Sequence, residues 1–188
     1  MPNWCTNHLT IKAPTAAMLK RVLKKIGTTD NPLCFDRVVP RPKELSGMHT
    51  GHTIIRGKSY RRWRVVSVKG KEVEKPVTER EERRLMKKYG ACDWYNWSCQ
   101  NWGTKWDVDH NGNVDFEQQS PTTARFVFDT AWSPPVPVME ALSELFPKLE
   151  IHLRYNEEGN DVHGCEYWGP NSEDHQCKHH CSCGCGEG

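Results

Sequence analysis

The chain has 188 residues, 36% apolar and 27% charged, with a formal net charge of +2, which suits one ordinary domain or two small ones and excludes a chain disordered throughout. No run approaches the roughly 20 apolar residues that span a bilayer, and Met1-Pro2-Asn3-Trp4-Cys5 has neither a basic nor an apolar leader region, so no membrane segment and no export are expected. Nine cysteines, four of them in the last dozen residues, fit reduced thiols with some metal ligands among them better than a secreted disulfide framework, and the expected compartment is the cytoplasm.

Charge is divided along the chain. Residues 1–90 hold 21 Lys and Arg against 8 Asp and Glu, whereas residues 91–188 hold 5 against 16. Packed into one domain the two halves neutralise each other; placed apart, the first leaves a basic surface able to steer phosphates.

In chain order, His8–Ala13 alternates as a half-buried strand, and Pro14-Thr15 opens a helix over 15–26 whose Leu19, Val22, Leu23 and Ile26 recur at helical spacing before Gly27. Cys34–Val39 is a second predicted strand, stopped by Pro40-Arg-Pro42. From 43 to 76 the chain is polar, basic and contains glycine, and it reads as an excursion from the core. Thr78-Glu-Arg-Glu81 has capping-box form ahead of a short charged helix ending at Gly90. Five large aromatics, Trp94, Tyr95, Trp97, Trp102 and Trp106, then fall within 13 positions. Asn111-Gly112, with alternation on either side across 107–116, predicts a hairpin. A strand over 124–131, a helix over 136–146 and a strand over 149–156 complete the pattern. The order β-α-β, insertion, β-α-β is the split βαβ pattern: an α+β, ferredoxin-like antiparallel sheet with two covering helices. The expected domain is 1–170 with a long insertion over 43–123, followed by a Cys/His-rich flexible tail, 171–188.

Six pieces of sequence carry a family resemblance: Pro2-Asn-Trp-Cys5, Val39-Pro-Arg-Pro42, Tyr95-Asn-Trp97, Asn101-Trp-Gly-Thr-Lys-Trp-Asp107, Thr130-Ala-Trp-Ser-Pro-Pro135 and Tyr155-Asn-Glu-Glu-Gly159. Together they resemble the YubB-like, Api-type ferredoxin-like proteins of bacteriophages and plasmids, over about residues 1–170. The resemblance implies the fold and a mobile-element context, hence the cytoplasm of a host cell, without implying a reaction. It makes a non-enzymatic binding protein the expected class, one that blocks or sequesters a host defence component such as a protein or a nucleotide.

Four groups of residues carry candidate chemistry. The tail His175-Gln-Cys177-Lys-His179-His180-Cys181-Ser-Cys183-Gly-Cys185 offers thiolates and imidazoles to a borderline-soft ion, so zinc is expected on Cys177, His179, Cys181, Cys183 and Cys185. The plainer alternative is a flexible tail that binds metal adventitiously. No iron–sulfur cluster is expected, because the ferredoxin cysteine spacing is absent from the first 170 residues. Asp107-x-Asp109-x-Asn111-Gly112 copies the first half of a calcium loop, but Gln118 stands where a bidentate Glu belongs, which favours the hairpin.

Arg56, Lys58, Arg61, Arg62, Trp63 and Arg64 combine phosphate neutralisation with an aromatic able to stack on a base, which makes nucleic acid a candidate partner. The alternative is a solvated excursion with Trp63 tucked onto the domain. Trp97, Trp102, Trp106 and Trp132 either form core or line a concave site for a planar ligand, with Thr104 and Lys105 as polar anchors and Arg37 or Arg41 as a phosphate contact. An enzyme reading, a metal- or cysteine-dependent hydrolase, rests on Cys99 without a nominated base. Glu157, Glu158 and Asp161 read as solvated surface.

Overall fold

The alternation around Leu9 and Ile11 sets one whole strand. In the computed structural model, which describes residues 3–108 and 114–170, β1 (Trp4–Lys12) buries Cys5, Asn7, Leu9 and Ile11 and turns its even-numbered residues to the other face. Helix α1 (Ala16–Ile26) starts where Thr15 Oγ1 accepts the Met18 N–H at 3.2 Å, and it buries Leu19, Val22 and Ile26. The chain divides into two compact units, one built from the chain up to Pro40 and from Trp102 onward, the other from Arg41–Asn101.

The strand predicted at 34–39 is instead a one-turn helix, α2 (Phe35–Val38). Its cause is distant in sequence. The Asp107 carboxylate accepts the backbone N–H groups of Phe35 (2.7 Å) and Asp36 (2.8 Å), satisfying donors that a helix start leaves open. Phe35 is fully buried, edge-on to Trp102 and to Phe128 with ring centroids 6.2 and 6.0 Å apart.

The segment read as an excursion has structure of its own. The short helix α3 (Lys43–Ser46) precedes a three-stranded antiparallel sheet of β2 (Met48–Ile55), β3 (Lys58–Val68) and β4 (Lys71–Pro76), in that order. Helix α4 (Glu79–Tyr89) follows as predicted, with Thr78 as its N-cap and Gly90 in the left-handed conformation (φ 71°) at its end. Sequence periodicity misses α5 (Trp94–Asn101), an eight-residue helix. Asp93, 1% exposed, opens it by accepting the Asn96 N–H at 2.8 Å and is held by the Thr50 hydroxyl at 2.7 Å.

In the first unit, β5 (Val114–Ser120) and β6 (Thr123–Ala131) form a hairpin, α6 (Val136–Leu145) follows, and β7 (Glu150–Glu157) and β8 (Val162–Trp168) form another. All neighbours in the sheet are antiparallel, in the order β5-β6-β1-β7-β8. Strands β1, β5, β6 and β7 with α1 and α6 make the expected ferredoxin-like arrangement, and β8 adds an edge. Two expectations are corrected here. The place reserved for 34–39 is filled by β5, so the insertion 43–123 is too long: 114–123 belongs to the main sheet. Strand β5 pairs with β6 through a turn at 121–122 and, among the described residues, with no strand before it. Asp107 and Val108 lie outside any strand, and Asn111-Gly112 falls outside the described residues.

At the end of β7 the carboxylate of Glu157 is buried, not solvated. It accepts the N–H groups of Gly159 (2.7 Å) and Asn160 (3.0 Å) and so shapes the turn into β8, a strand that the sequence does not predict.

Candidate functional site

Strand alternation gives the five-stranded sheet two unlike faces. On one, Leu9, Ile11, Phe126, Phe128, Ile151 and Leu153 are buried. The other face is polar, and the register places its side chains in rows. One row runs Asp115, Val127, His8, Arg154, Cys165, and the next runs Glu117, Arg125, Thr10, His152, Tyr167. His8, Thr10, Arg125, His152 and Arg154 line one hollow of about 510 Å³, with Asp115 and Glu117 at its β5 side. Arg125 and Arg154 are exposed, and neither forms an ion pair among the described residues.

The same face ends in aromatics. Trp4, 38% exposed, lies beside Trp106 with centroids 6.2 Å apart and planes tilted by 32°, and the Lys105 ammonium sits 4.1 Å over the Trp106 ring. Trp4, Thr6 and His8 are successive outward residues of β1, and Thr6 donates to Asp129 at 2.8 Å between the aromatic end and the hollow.

The aromatic site expected from the sequence is only partly assembled. Trp102 is 1% exposed and donates Nε1–H to the Val39 carbonyl at 2.9 Å, so it is core rather than a stacking surface. Thr104 is also buried and donates to the Ala131 carbonyl at 2.9 Å. Trp97 is buried within the Arg41–Asn101 unit, which also holds Arg41. Lys105 and Trp106 pair with each other, Trp132 is exposed at φ 72°, and Arg37 sits on α2 with Nε 3.3 Å from the Lys25 carbonyl.

The motifs that carry the family resemblance lock one another. Gly103 stands at φ 78° against Pro134 and Pro137, Ser133 Oγ donates to the Gly103 carbonyl at 2.5 Å, and Thr130 Oγ1 donates to the Ser133 carbonyl at 2.8 Å. The Trp-Gly-Thr and Ala-Trp-Ser-Pro-Pro pieces are therefore a structural joint.

The basic run is dispersed around β3. Arg62 pairs with Glu82 and Arg64 with Glu81 of α4, so two of its cations are already neutralised. Lys58 and Arg61 are exposed, Arg56 occupies the β2–β3 turn at φ 50°, and Trp63 stacks on His49 at 5.6 Å with planes 16° apart. Cys99 is exposed on α5 beside Tyr95, whose phenol it pushes up, together with burial. Burial drives the Cys5 thiol up to about 11, out of reach of nucleophilic use near neutrality. Among the described residues no three His, Cys, Asp or Glu side chains are gathered to hold a metal. The proposed ligands Cys177, His179, Cys181, Cys183 and Cys185 lie outside the described residues, and so do Asp109 and Asn111 of the calcium-like stretch. No helix among the described residues is long and apolar enough to cross a membrane.

Sequence reasoning missed His8, Arg125, His152 and Arg154 because each is unremarkable alone and they are spread over three strands, β1, β6 and β7. The readable signal was their parity, since each occupies an outward position in a strand whose apolar partners were recognised.

Comparison with known proteins bears on the fold. The chain resembles a solved structure of protein Api92 from Yersinia pseudotuberculosis at 11% identity and a TM-score of 0.48, over 92% of this chain and 96% of that one. No curated protein matches. Residues 101–174, less than half of the chain, match the family model "Ferredoxin-like domain in Api92-like protein". This stretch contains β5 to β8 and α6, the strands of the five-stranded sheet other than β1; over it the chain is similar to the ferredoxin-like domain of Api92-like proteins.

Proposed function

We propose that the protein is a non-enzymatic binding protein of a phage or other mobile element, and that it sequesters a host component by holding a planar, phosphate-bearing ligand of the nucleotide type on the polar face of its five-stranded sheet. The observation that carries this reading is the pairing of Arg125 and Arg154 in one hollow without carboxylate partners among the described residues. Guanidinium groups bind phosphate bidentately, so two of them flanking His8 and Thr10 suit an anionic group. Asp115 and Glu117 make the hollow bipolar, and they would accept the N–H groups of a base edge while opposing a second phosphate. The exposed Trp4, beside a half-buried Trp106, offers a stacking surface on the same face.

Isothermal titration of the full chain with nucleoside mono- and diphosphates tests the reading. At least one is expected to bind with a Kd at or below about 100 μM, a free energy of roughly −5.5 kcal/mol. The Arg125→Ala/Arg154→Ala variant is expected to bind more than about tenfold weaker, since charge-assisted bonds contribute about 1.5–3 kcal/mol each. Binding that is absent at millimolar ligand, or equal in the variant, removes the site. Turnover of the ligand lost on Cys99→Ala or with chelator replaces a binding protein by a hydrolase.

A second reading keeps nucleic acid as the partner of the Arg41–Asn101 unit, which holds 15 Lys and Arg against 7 Asp and Glu. What favours it is Lys58 and Arg61, exposed on the same strand as Trp63 and without an ion pair among the described residues. Zinc on the tail cysteines stands as a proposal from the sequence, with elemental analysis of the untagged protein as its measurement.

A further inference from the structure

Helix α1 carries Lys20, Arg21, Lys24 and Lys25 and no acidic residue. Its last turn meets α2, where Arg37 donates Nε–H to the Lys25 carbonyl at 3.3 Å, so a fifth cation is pinned where the helix carbonyls are unsatisfied. Two hollows of about 480 and 470 Å³ adjoin there and share Lys24 and Arg37. The first is lined by Arg21, Lys24, Lys25 and Arg37 together with Leu145 and Phe146 from the end of α6, and it contains no carboxylate. None of these four cations forms an ion pair among the described residues. Leu145 is 51% exposed, an apolar side chain left in water at the edge of the charge.

We propose that this groove between α1, α2 and α6 is a docking surface for an acidic, amphipathic helical segment of a partner protein. This goes beyond the sheet-face ligand and uses different residues. Clustered like charges repel one another, and a complementary anionic partner relieves that repulsion and is steered to the groove. The apolar residues select the kind of anion. A phosphate would engage the cations and leave Leu145 and Phe146 wet, whereas a helix with Glu along one row and Leu along the adjacent row covers both, because residues three and four apart share a helix face. The two joined hollows also extend beyond what one phosphate fills.

The test is fluorescence anisotropy of the full chain with a labelled peptide of about 16 residues, built from Ala, Glu and Leu with Glu at i, i+4 and Leu on the neighbouring row. A Gln-for-Glu peptide and a single-stranded oligonucleotide of equal charge serve as competitors. The expected result is binding that weakens with salt, falls at least about tenfold in Lys24→Glu/Lys25→Glu, and falls at least about threefold in both Arg21→Gln and Leu145→Ser. The variants are checked for native melting by circular dichroism. Arg21→Gln, which removes one exposed charge, keeps the test decisive if the double reversal fails to fold. Absence of binding, retention in Arg21→Gln, or an oligonucleotide that competes equally while Leu145→Ser changes nothing would overturn the proposal; the last outcome would make the groove a general anion patch.

Discussion

Asp107 joins segments 72 residues apart, and its carboxylate decides the geometry of Cys34–Val38. A backbone with two β-branched residues near its end has an extended alternative, as the sequence reading assumed. Two hydrogen bonds donated to a carboxylate, at 2.7 and 2.8 Å, outweigh that preference and turn Phe35 into the core. Asp107→Ala leaves those N–H groups unsatisfied, and it is predicted to cost about 2–3 kcal/mol in urea unfolding of the full chain. Asp107→Asn keeps one acceptor oxygen and is predicted to cost less. A loss below about 0.5 kcal/mol for the alanine variant would show that packing of Phe35 against Trp102 and Phe128 holds the turn without the cap.

Elements were legible where burial and periodicity agree. Helices α1 and α6 and strands β1, β6 and β7 each bury one stripe of their own residues, so 3.6- or 2-residue spacing identifies them, while α4 buries only Leu85 and is identified by its Thr78 cap and Gly90 stop. Strand β4 was not legible because all six of its residues are exposed, and β5 shows no exposed/buried alternation either. Helix α5 buries Trp97 and Ser98 through a cap whose partner, Thr50, is remote in sequence. The sheet-face hollow was hidden for a related reason: pairing of β1 with both β6 and β7 gathers its residues, and no local pattern encodes that register. The joint between β6 and α6 offers a test at this scale. A Cβ at Gly103 would stand 2.8 Å from the Pro134 carbonyl oxygen and 2.8 Å from Pro137 Cδ, on a backbone at φ 78°. Gly103→Ala is predicted to destabilise the protein by about 2–4 kcal/mol, combining left-handed strain with a steric clash against rigid proline. Melting within about 2 °C of the parent would show that the two loops separate freely.

For the whole molecule, the formal charge of +2 is a poor guide to behaviour, because its components belong to different compact units. Arg41–Asn101 holds 15 basic against 7 acidic residues, and the rest of the chain holds 11 against 17. Local pairing reduces this only in part: Glu44 bridges Arg84 and Lys88, and Glu81 and Glu82 bridge Arg64 and Arg62, all inside the basic unit. A protein with uniformly mixed charge passes both kinds of ion exchanger at its isoelectric point, since screening averages the signs over a Debye length of about 10 Å at 0.1 M salt. Here the sequence isoelectric point is about 8.1. At that pH and about 20 mM salt the chain is predicted to be retained on a cation exchanger through the basic unit, and also on an anion exchanger through the remainder. Salt near about 0.2 M should elute it from both. Lys58→Glu with Arg61→Glu removes exposed cations that form no ion pair among the described residues, so retention on the cation exchanger should shorten and retention on the anion exchanger should not. Passage through both columns would mean that the opposite excesses of the two units neutralise each other within a screening length, and the basic unit would then have no field with which to draw a polyanion.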